Sequence, residues 1–393
     1  MWNGIGNIME NNINKKRILV LNYEFPPLGG GGGVAAYKLA KGFIDNGYIV
    51  DYLTSGYQGL KKFEVVEGIN VYRVNVLGRK NLKTASMISL LSFPISGFFK
   101  GFSLCKKNKY EFINTQFVVP TGPLGFLLSK IFKIKNILSL HGGDICDPTK
   151  KSSPHRFYIL RKMIKFLIDK SHFVVAQSSN TKENTEKYYK NKKDIKIIPL
   201  PYEMVKFNKV SRQELGLKED KKYLIGVGRL VKRKGFDYLI KALALLDNNV
   251  ECLIIGDGPE KENLEKLAQE MEVSQRLHLL GYVETEEKKF QYLAVSDIFI
   301  LSSIHEGFGI VLQEAMQVGL PIISTNIGGQ VDLVKDDKNG FLVSIKDEKA
   351  ITEAVNKILF DNSLRNKFSE NNSKDVKCFG IKDISNIYLS LYE

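Results

Sequence analysis

The sequence has little cysteine, one tryptophan and no uninterrupted apolar run long enough to cross a bilayer. Cys105, Cys146, Cys252 and Cys378 lie about forty or more positions apart, so no C-x-x-C pair exists. A zinc knuckle and a small disulfide scaffold are thereby excluded, and a reducing compartment is the expectation. The start, Met1 to Asn14, is Asn-rich and polar, without the cationic and apolar regions of a signal peptide. The most apolar stretch, Met87–Leu104, is interrupted by Ser, Gly, Pro94 and Lys100. It falls short of the roughly 20 continuous apolar residues a spanning helix needs. The chain is expected to be soluble or to lie on a membrane, without spanning it. No acidic cluster suggests a metal site, and no fixed period suggests a solenoid.

What is present is an ordinary globular composition: 393 residues, 44% apolar, 10% aromatic and 25% charged. That length favours two domains over one core. The net charge of +14 is lopsided. Residues 1–200 carry 31 Lys and Arg against 13 Asp and Glu, net +18, whereas residues 201–393 carry 26 against 30, net −4. An anionic partner is therefore expected to meet mainly the N-terminal half.

Short β-branched runs alternate with helical patterns. Strands are predicted in the first half at 17–21, 48–54, 69–76, 112–115, 136–140, 172–177 and 195–199. In the second half they are predicted at 223–227, 250–255, 277–280, 298–301, 321–324 and 341–343. Runs such as ILVL, YLIGV, CLIIG and IFIL are apolar on successive positions, as a parallel strand buried on both faces requires. Helices are predicted between them, among them 236–246, 262–269 and 308–318. The alternation argues an α/β fold of doubly wound parallel sheets. The prolines of Pro199-Leu200-Pro201-Tyr202 suit a linker, and the architecture expected is two Rossmann-like domains facing across a cleft. Ligands bind such sheets beyond the carboxyl ends of the strands.

Four of those loops carry candidate chemistry. Phe25-Pro26-Pro27-Leu28 and Gly29 to Gly33 follow the first strand and open a helix, whose free N–H groups would suit a phosphate. The same glycines would also make a flexible loop. Gly226 to Gly235 carries four cations, of which Arg229 and Lys234 are best placed to clamp a diphosphate. Lys232 and Arg233 read as surface charges. Ser302 to Met316 holds Glu306 in a loop and Glu314 on the following helix, beside amides around Phe308–Val311 at a helix start. Those carboxylates could take sugar hydroxyls, or could be a cap and a surface residue. His141-Gly142-Gly143-Asp144 ends a strand in a pocket-like context, whereas His155, His172, His278 and His305 read as incidental.

Taken in order, these segments resemble the retaining nucleotide-sugar glycosyltransferases of family 4, which have the GT-B fold. The matching pieces are FPP-x-GG, HGGD, VGRLVKRKGFDYLIKAL, IIGDGPEKENLE, LGYV, HEGFGIVLQEAMQVGLPIISTNIGG and NGFLV. The match is dense from Arg229 to Val343 and indistinct between Leu60 and Lys135. The resemblance implies that Glu306 contacts the transferred sugar, Glu314 holds the nucleotide ribose, and Arg229 and Lys234 bind the diphosphate. Gly307, Phe308, Gly309, Ile310 and Val311 would supply phosphate- and sugar-facing backbone. Gly30 and Gly31 align with the family's Gly-Gly, and His141 with its N-domain histidine. Tyr48 stands where the family often has His. The resemblance further implies an N-terminal domain of residues 1–202 plus 376–393, the last helix crossing back, and a donor domain of residues 203–375.

The implied reaction transfers a sugar from an NDP donor to an acceptor hydroxyl with retained configuration. Arg229, Lys234 and the helix start would stabilise the leaving diphosphate, so no metal or cofactor is expected. Two other classes stay open: a GT-B sugar-nucleotide epimerase, which needs no acceptor, and a basic nucleic-acid-binding protein, for which no motif is present. An NAD oxidoreductase fits less well, because no clean G-x-G-x-x-G is followed by an acid at the end of the second strand. Since the donor half is net −4, the surplus of cations points to the acceptor side. Met87–Leu104, Lys130–Lys135 and Arg156–Lys170 suggest docking on anionic lipid and a lipid-linked or cell-envelope acceptor. Arg161–Lys170 could equally be a core-facing helix with a solvated basic face. The location expected is cytoplasmic, peripheral on the inner face of the membrane.

Overall fold

Unalternating branched apolar runs are stable as strands only when both faces are covered. That is how they sit in a computed structural model of the chain, which describes residues 15–82 and 85–392. The polar start at Met1–Asn14 lies outside the described residues. The chain divides into two compact units, Met1–Tyr202 with Phe379–Glu393, and Glu203–Cys378. The return to the first unit thus falls at Phe379 and not at 376. A 3-10 turn over Val376–Phe379 leads there, and the Phe379 carbonyl accepts the Tyr202 N–H at 2.7 Å.

The first unit contains β1 (Arg17–Leu21), β2 (Ile49–Ser55), β3 (Phe63–Val66), β4 (Ile69–Val74), β5 (Phe112–Gln116), β6 (Lys135–Leu140), β7 (Phe173–Ala176) and β8 (Ile195–Ile197). They form one sheet in the order β3-β4-β2-β1-β5-β6-β7-β8. Every neighbour is parallel except β3, which pairs antiparallel with β4. Its helices are α1 (Gly31–Asp45), α2 (Met87–Lys107), α3 (Gly122–Phe132), α4 (Tyr158–Lys170) and α5 (Ser179–Tyr189). Alternate residues of β1 feed two cores. Ile18 and Val20 pack with Ala36, Leu39 and Phe43 of α1. Leu19 and Leu21 pack with Phe93 and Leu104 of α2 and with Leu124 and Leu128 of α3.

The interruptions in Met87–Leu104 do not break its helix. Ser86 and Ser89 exchange side-chain-to-backbone hydrogen bonds at its start, a capping box. Gly97 and Gly101 face α3, where an added Cβ would lie 2.8 Å from Leu124 Cδ2 and 2.6 Å from Leu128 Cδ1. By length and composition α2 could cross a bilayer, but here its inner side is packed against α3 and the sheet.

The second unit contains β9 (Lys222–Val227), β10 (Val250–Ile255), β11 (Leu277–Gly281), β12 (Ile298–Leu301), β13 (Ile322–Thr325) and β14 (Gly340–Val343). All are parallel, in the order β11-β10-β9-β12-β13-β14. Its helices are α6 (Phe236–Leu245), α7 (Lys261–Glu270), α8 (Glu286–Val295), α9 (Ile310–Gln317), α10 (Gln330–Leu333), α11 (Glu348–Phe360) and α12 (Asn362–Asp375). The last helix, α13 (Ile381–Ser390), belongs to the first unit, where Ile384 and Tyr388 join the core behind α1. Gly42 of α1 makes that approach possible, since a Cβ there would sit 2.6 Å from Ser385 Oγ. Among its parallel strands each sheet reverses its order once, between β1 and β5 in the first unit and between β9 and β12 in the second. Crevices at such switch points are where doubly wound sheets place ligands.

Candidate active site

In the second unit the switch point brings together the loops after β9 and β12. The Lys234 ammonium, on an almost buried side chain, donates to Glu306 Oε2 at 2.5 Å. Two backbone devices fix this pair. Gly235 has φ +64° and lies so close to the Ser302 carbonyl that a Cβ would approach it to 2.2 Å. Ser302 Oγ in turn donates to the Lys234 carbonyl at 3.1 Å. On the other side, the Gly329 N–H donates to the Glu306 carbonyl at 2.9 Å, and a Cβ on Gly328 would collide with that carbonyl at 2.2 Å. Burial pushes the Glu306 carboxyl up, but Lys234 and then Arg233 outweigh it and hold it below the usual carboxylate range. The acid is therefore a fixed anion beside a fixed cation.

Arg233, read from sequence as a surface charge, is drawn inward. Its guanidinium donates to the His305 carbonyl at 3.2 Å and lies 3.8 Å from Glu306 Oε2. The 3-10 turn at Lys232–Lys234 causes this by turning two consecutive cations toward the loop after β12. Lys232 stays exposed, as expected, and Arg229 is exposed too. Arg229 makes no ion pair among the described residues, so it is not part of the Lys234–Glu306 cluster. His278, read as incidental, pairs with Glu251 at 2.7 Å, and His305 is buried next to Glu306.

The expected helix start at 308 moves to Ile310, because Gly309 adopts φ +97° and acts as the N-cap. Phe308 is consequently a buried core residue ahead of the helix. No side chain caps α9, so the amides of Ile310 and Val311 are left for another acceptor. Glu314, four residues into α9, is nearly buried and not on the surface, and its Oε1 accepts from Lys289 of α8 at 2.8 Å. Lys289 also reaches Glu286 at 2.8 Å. Burial alone would lower the Lys289 pKa, and Glu314 and Glu286 reverse that. Spacing along α9 could not reveal Lys289, which comes from another helix.

In the first unit the glycine run divides by packing. Gly29 has φ +93°, and a Cβ there would meet the Glu24 carboxylate at 2.2 Å. A Cβ on Gly32 would lie 2.4 Å from the Phe117 ring, and one on Gly33 would press on Glu24. Nothing lies within 4 Å of a Cβ on Gly30, and Gly30 and Gly31 are exposed at the start of α1, which no side chain caps. Glu24 Oε2 accepts the Gly30 N–H at 3.1 Å. Burial raises the Glu24 carboxyl, opposed by Gly30 and Arg79.

His141 follows β6 and is buried, its ring stacked on Phe117 with centroids 3.9 Å apart. Its Nε2 is 2.7 Å from Gln116 Oε1. Burial depresses its pKa to about 3, against a contact from Gln177 that raises it, so the imidazole is neutral at physiological pH. Asp144 clamps the loop by accepting the Val118 N–H at 2.7 Å and the His141 N–H at 2.8 Å. Burial pushes its carboxyl up to about 6. Phe117 takes φ +67°, uncommon for a bulky residue, and lies between Gly32 and His141. Sequence reading missed it because its importance comes from β5 lying next to β1. Among the described residues no group of three or more His, Cys, Asp or Glu could hold a metal.

Comparison with known proteins bears on both units. Residues 29–204 match the family described as Glycosyltransferase Family 4, and residues 207–375 match Glycosyl transferases group 1. N-acetyl-alpha-D-glucosaminyl L-malate synthase of Bacillus anthracis is 26% identical over 383 residues, covering 93% of this chain and 94% of that protein. The lipopolysaccharide core biosynthesis glycosyltransferase LpsE of Rhizobium meliloti is 36% identical over 183 residues, 46% of this chain and 53% of its own. The solved sucrose-phosphate synthase of Thermosynechococcus elongatus superposes with a TM-score of 0.83 at 21% identity, covering 96% of this chain and 98% of that one. The chain belongs to the group 1, family 4 glycosyltransferases and has the GT-B fold.

Proposed function

We propose that this glycosyltransferase retains anomeric configuration, works without a metal or other cofactor, and transfers a hexosyl-type sugar from an NDP-sugar to an acceptor hydroxyl. The observation that carries the reading is the Lys234–Glu306 pair beside the uncapped start of α9. A departing diphosphate needs cations and amide donors aimed at it before it leaves. Lys234 and the Ile310 and Val311 amides supply them, with Arg229 free to join as a bidentate donor. Once phosphate oxygens share Lys234, the Glu306 carboxylate can accept from the sugar hydroxyls while the ring gains positive character. Glu314, steadied by Lys289, accepts from the ribose. In the first unit, Gly30 and Gly31 would let backbone approach a phosphate, and neutral His141 would offer a hydrogen bond to a sugar hydroxyl instead of acting as a charged acid.

The acceptor proposed is a lipid-linked or cell-envelope glycan, met by the basic N-terminal unit on the cytoplasmic side of the membrane. LpsE, a lipopolysaccharide core enzyme, supports that class. The test is a thermal-shift or NMR screen against UDP-, GDP- and ADP-sugars, followed by analysis of donor hydrolysis and of the anomer formed. Stabilisation by one nucleotide class and an α-product from an α-donor are expected. An inverted product, or conversion of the donor sugar without any acceptor, would overturn the reading.

A further inference from the structure

Away from the loops described above, at the amino ends of β1, β5 and β6, the first unit has a cavity of about 580 Å³. Lys106, Lys107, Lys109, Lys133 and Lys135 line it, with Glu111 the one acid. Glu111 is already engaged, bonded by the Tyr392 hydroxyl and lying 3.9 Å from Lys16. Lys135 lies over the Tyr392 ring. The other four are exposed and make no ion pair among the described residues. Like charges gathered without acids repel one another, so such a basin favours an anionic occupant.

The basin is the end of a longer surface. One line along α2 carries Ile88, Leu91, Ile95, Phe99 and Phe102 and then Lys106, at steps of three or four residues. Leu91, Ile95 and Phe99 are 68%, 65% and 71% exposed. The line is about 20 Å long at 1.5 Å per residue. Beside it, α3 adds exposed Leu127 and Ile131. The inner side of α2 is fixed by Phe93 and Leu104 and by the close seat of Gly97 and Gly101 on α3. This apolar face is thus held outward by a rigid support.

Helices α2, α3 and α4 together carry eight Lys and Arg and one acid, Asp169, which pairs with Lys165 at 2.8 Å. That imbalance argues against a second copy of the chain as the cover, because two such faces would repel. At its edges Lys100 and Lys130 hold their ammonium groups over the rings of Tyr72 and Phe126, 4.5 and 5.9 Å from the centroids. An apolar helix face edged by lysines matches the layering of an anionic bilayer surface. The helix Arg161–Lys170, raised from sequence as a membrane candidate, turns Ile164, Leu167 and Ile168 into the core instead.

We propose that the α2–α3 face inserts shallowly into an anionic phospholipid surface, with lipid phosphates held in the lysine basin. This goes beyond the transferase reading, and its test needs no sugar nucleotide. The full chain is sedimented with vesicles of phosphatidylglycerol and phosphatidylcholine, and with phosphatidylcholine alone. Binding is expected to the first and not the second, and to weaken as salt is raised. Replacing Lys106, Lys107, Lys109 and Lys133 by Ser should weaken it several hundredfold, about fivefold per lysine. Leu91→Ser with Ile95→Ser and Phe99→Ser, or Phe99→Ser alone should the triple variant fold poorly, should also weaken binding, while the far-ultraviolet spectrum and nucleotide binding stay unchanged. Failure of the wild type to bind anionic vesicles at low salt would overturn the proposal. So would equal binding by the lysine or apolar variants, or a dimer in solution that Phe99→Ser dissolves. Each result stands whether or not a sugar nucleotide is bound.

Discussion

Lysine is used in two opposite ways in this protein. In the second unit Lys234 is nearly buried, locked onto Glu306 at 2.5 Å and held by backbone on both sides. In the first unit Lys106, Lys107, Lys109 and Lys133 stand exposed around a cavity whose one acid, Glu111, is bonded by Tyr392. A buried charge is tolerable only with a partner, so Lys234 is organised before any ligand arrives. Exposed cations are individually weak and act in number on an extended anion. Net charge therefore says little about where the chemistry is. The unit with the charge surplus does not hold the Lys234–Glu306 pair.

The comparison is tested most severely at the buried pair. Lys234→Ala and Glu306→Ala are each expected to abolish transfer, at least about a thousandfold, in a protein that stays folded by circular dichroism. Near-normal turnover of either would remove the basis for treating this pair as the reactive one. Next is the packing of the glycine run. Gly32→Ala should push on Phe117, costing about 1–3 kcal/mol in stability and lowering kcat/KM, and Phe117→Ala in the same chain should restore part of the loss. A double variant as impaired as the sum of the singles would show that the two do not touch in solution.

A smaller effect is expected at Lys289, which orients Glu314 without reaching the reacting atoms. Lys289→Met should raise the donor KM about tenfold, roughly 1.4 kcal/mol, with kcat nearly kept. A fall in kcat at unchanged KM would contradict that role. The smallest effect is the pH dependence of Asp144. Its folded pKa is raised from 3.8 to about 6, so its contribution to stability is present at low pH and is lost as pH rises through 6. Relative to Asp144→Asn, the wild type should gain in Tm between pH 7 and pH 5, and parallel Tm curves would refute the assignment.

Strands such as β1, β9, β10 and β12 were legible because the fold buries them on both faces, leaving short apolar runs bounded by loop residues. β3, Phe63–Val66, was not expected, because it is an edge strand whose side chains are exposed or half-exposed and carry no such run. The loops of the second unit were legible because cations, carboxylates and glycines lie close together in sequence. That Arg233 turns inward beside Lys234 was not, since a single 3-10 turn decides it. The start of α9 was misplaced by two residues, because the left-handed backbone of Gly309 leaves no mark in apolar periodicity. Phe117 and Lys289 were invisible for a different reason. Each matters through a neighbour supplied by another part of the chain, and only topology makes the introduction.

Gly97 and Gly101 would ordinarily be taken as weak points in a long helix. Here they let two helix axes come close enough for Leu124 and Leu128 to fill the space a side chain would occupy. The helix they seat, α3, begins at Gly122, five residues after Phe117. The outward apolar line of α2 is thus joined by close packing to α3, and α3 by the turn at 118–121 to the ring stacked on His141. A displacement of α2 would therefore pass directly to α3, and reach Phe117 only through that turn.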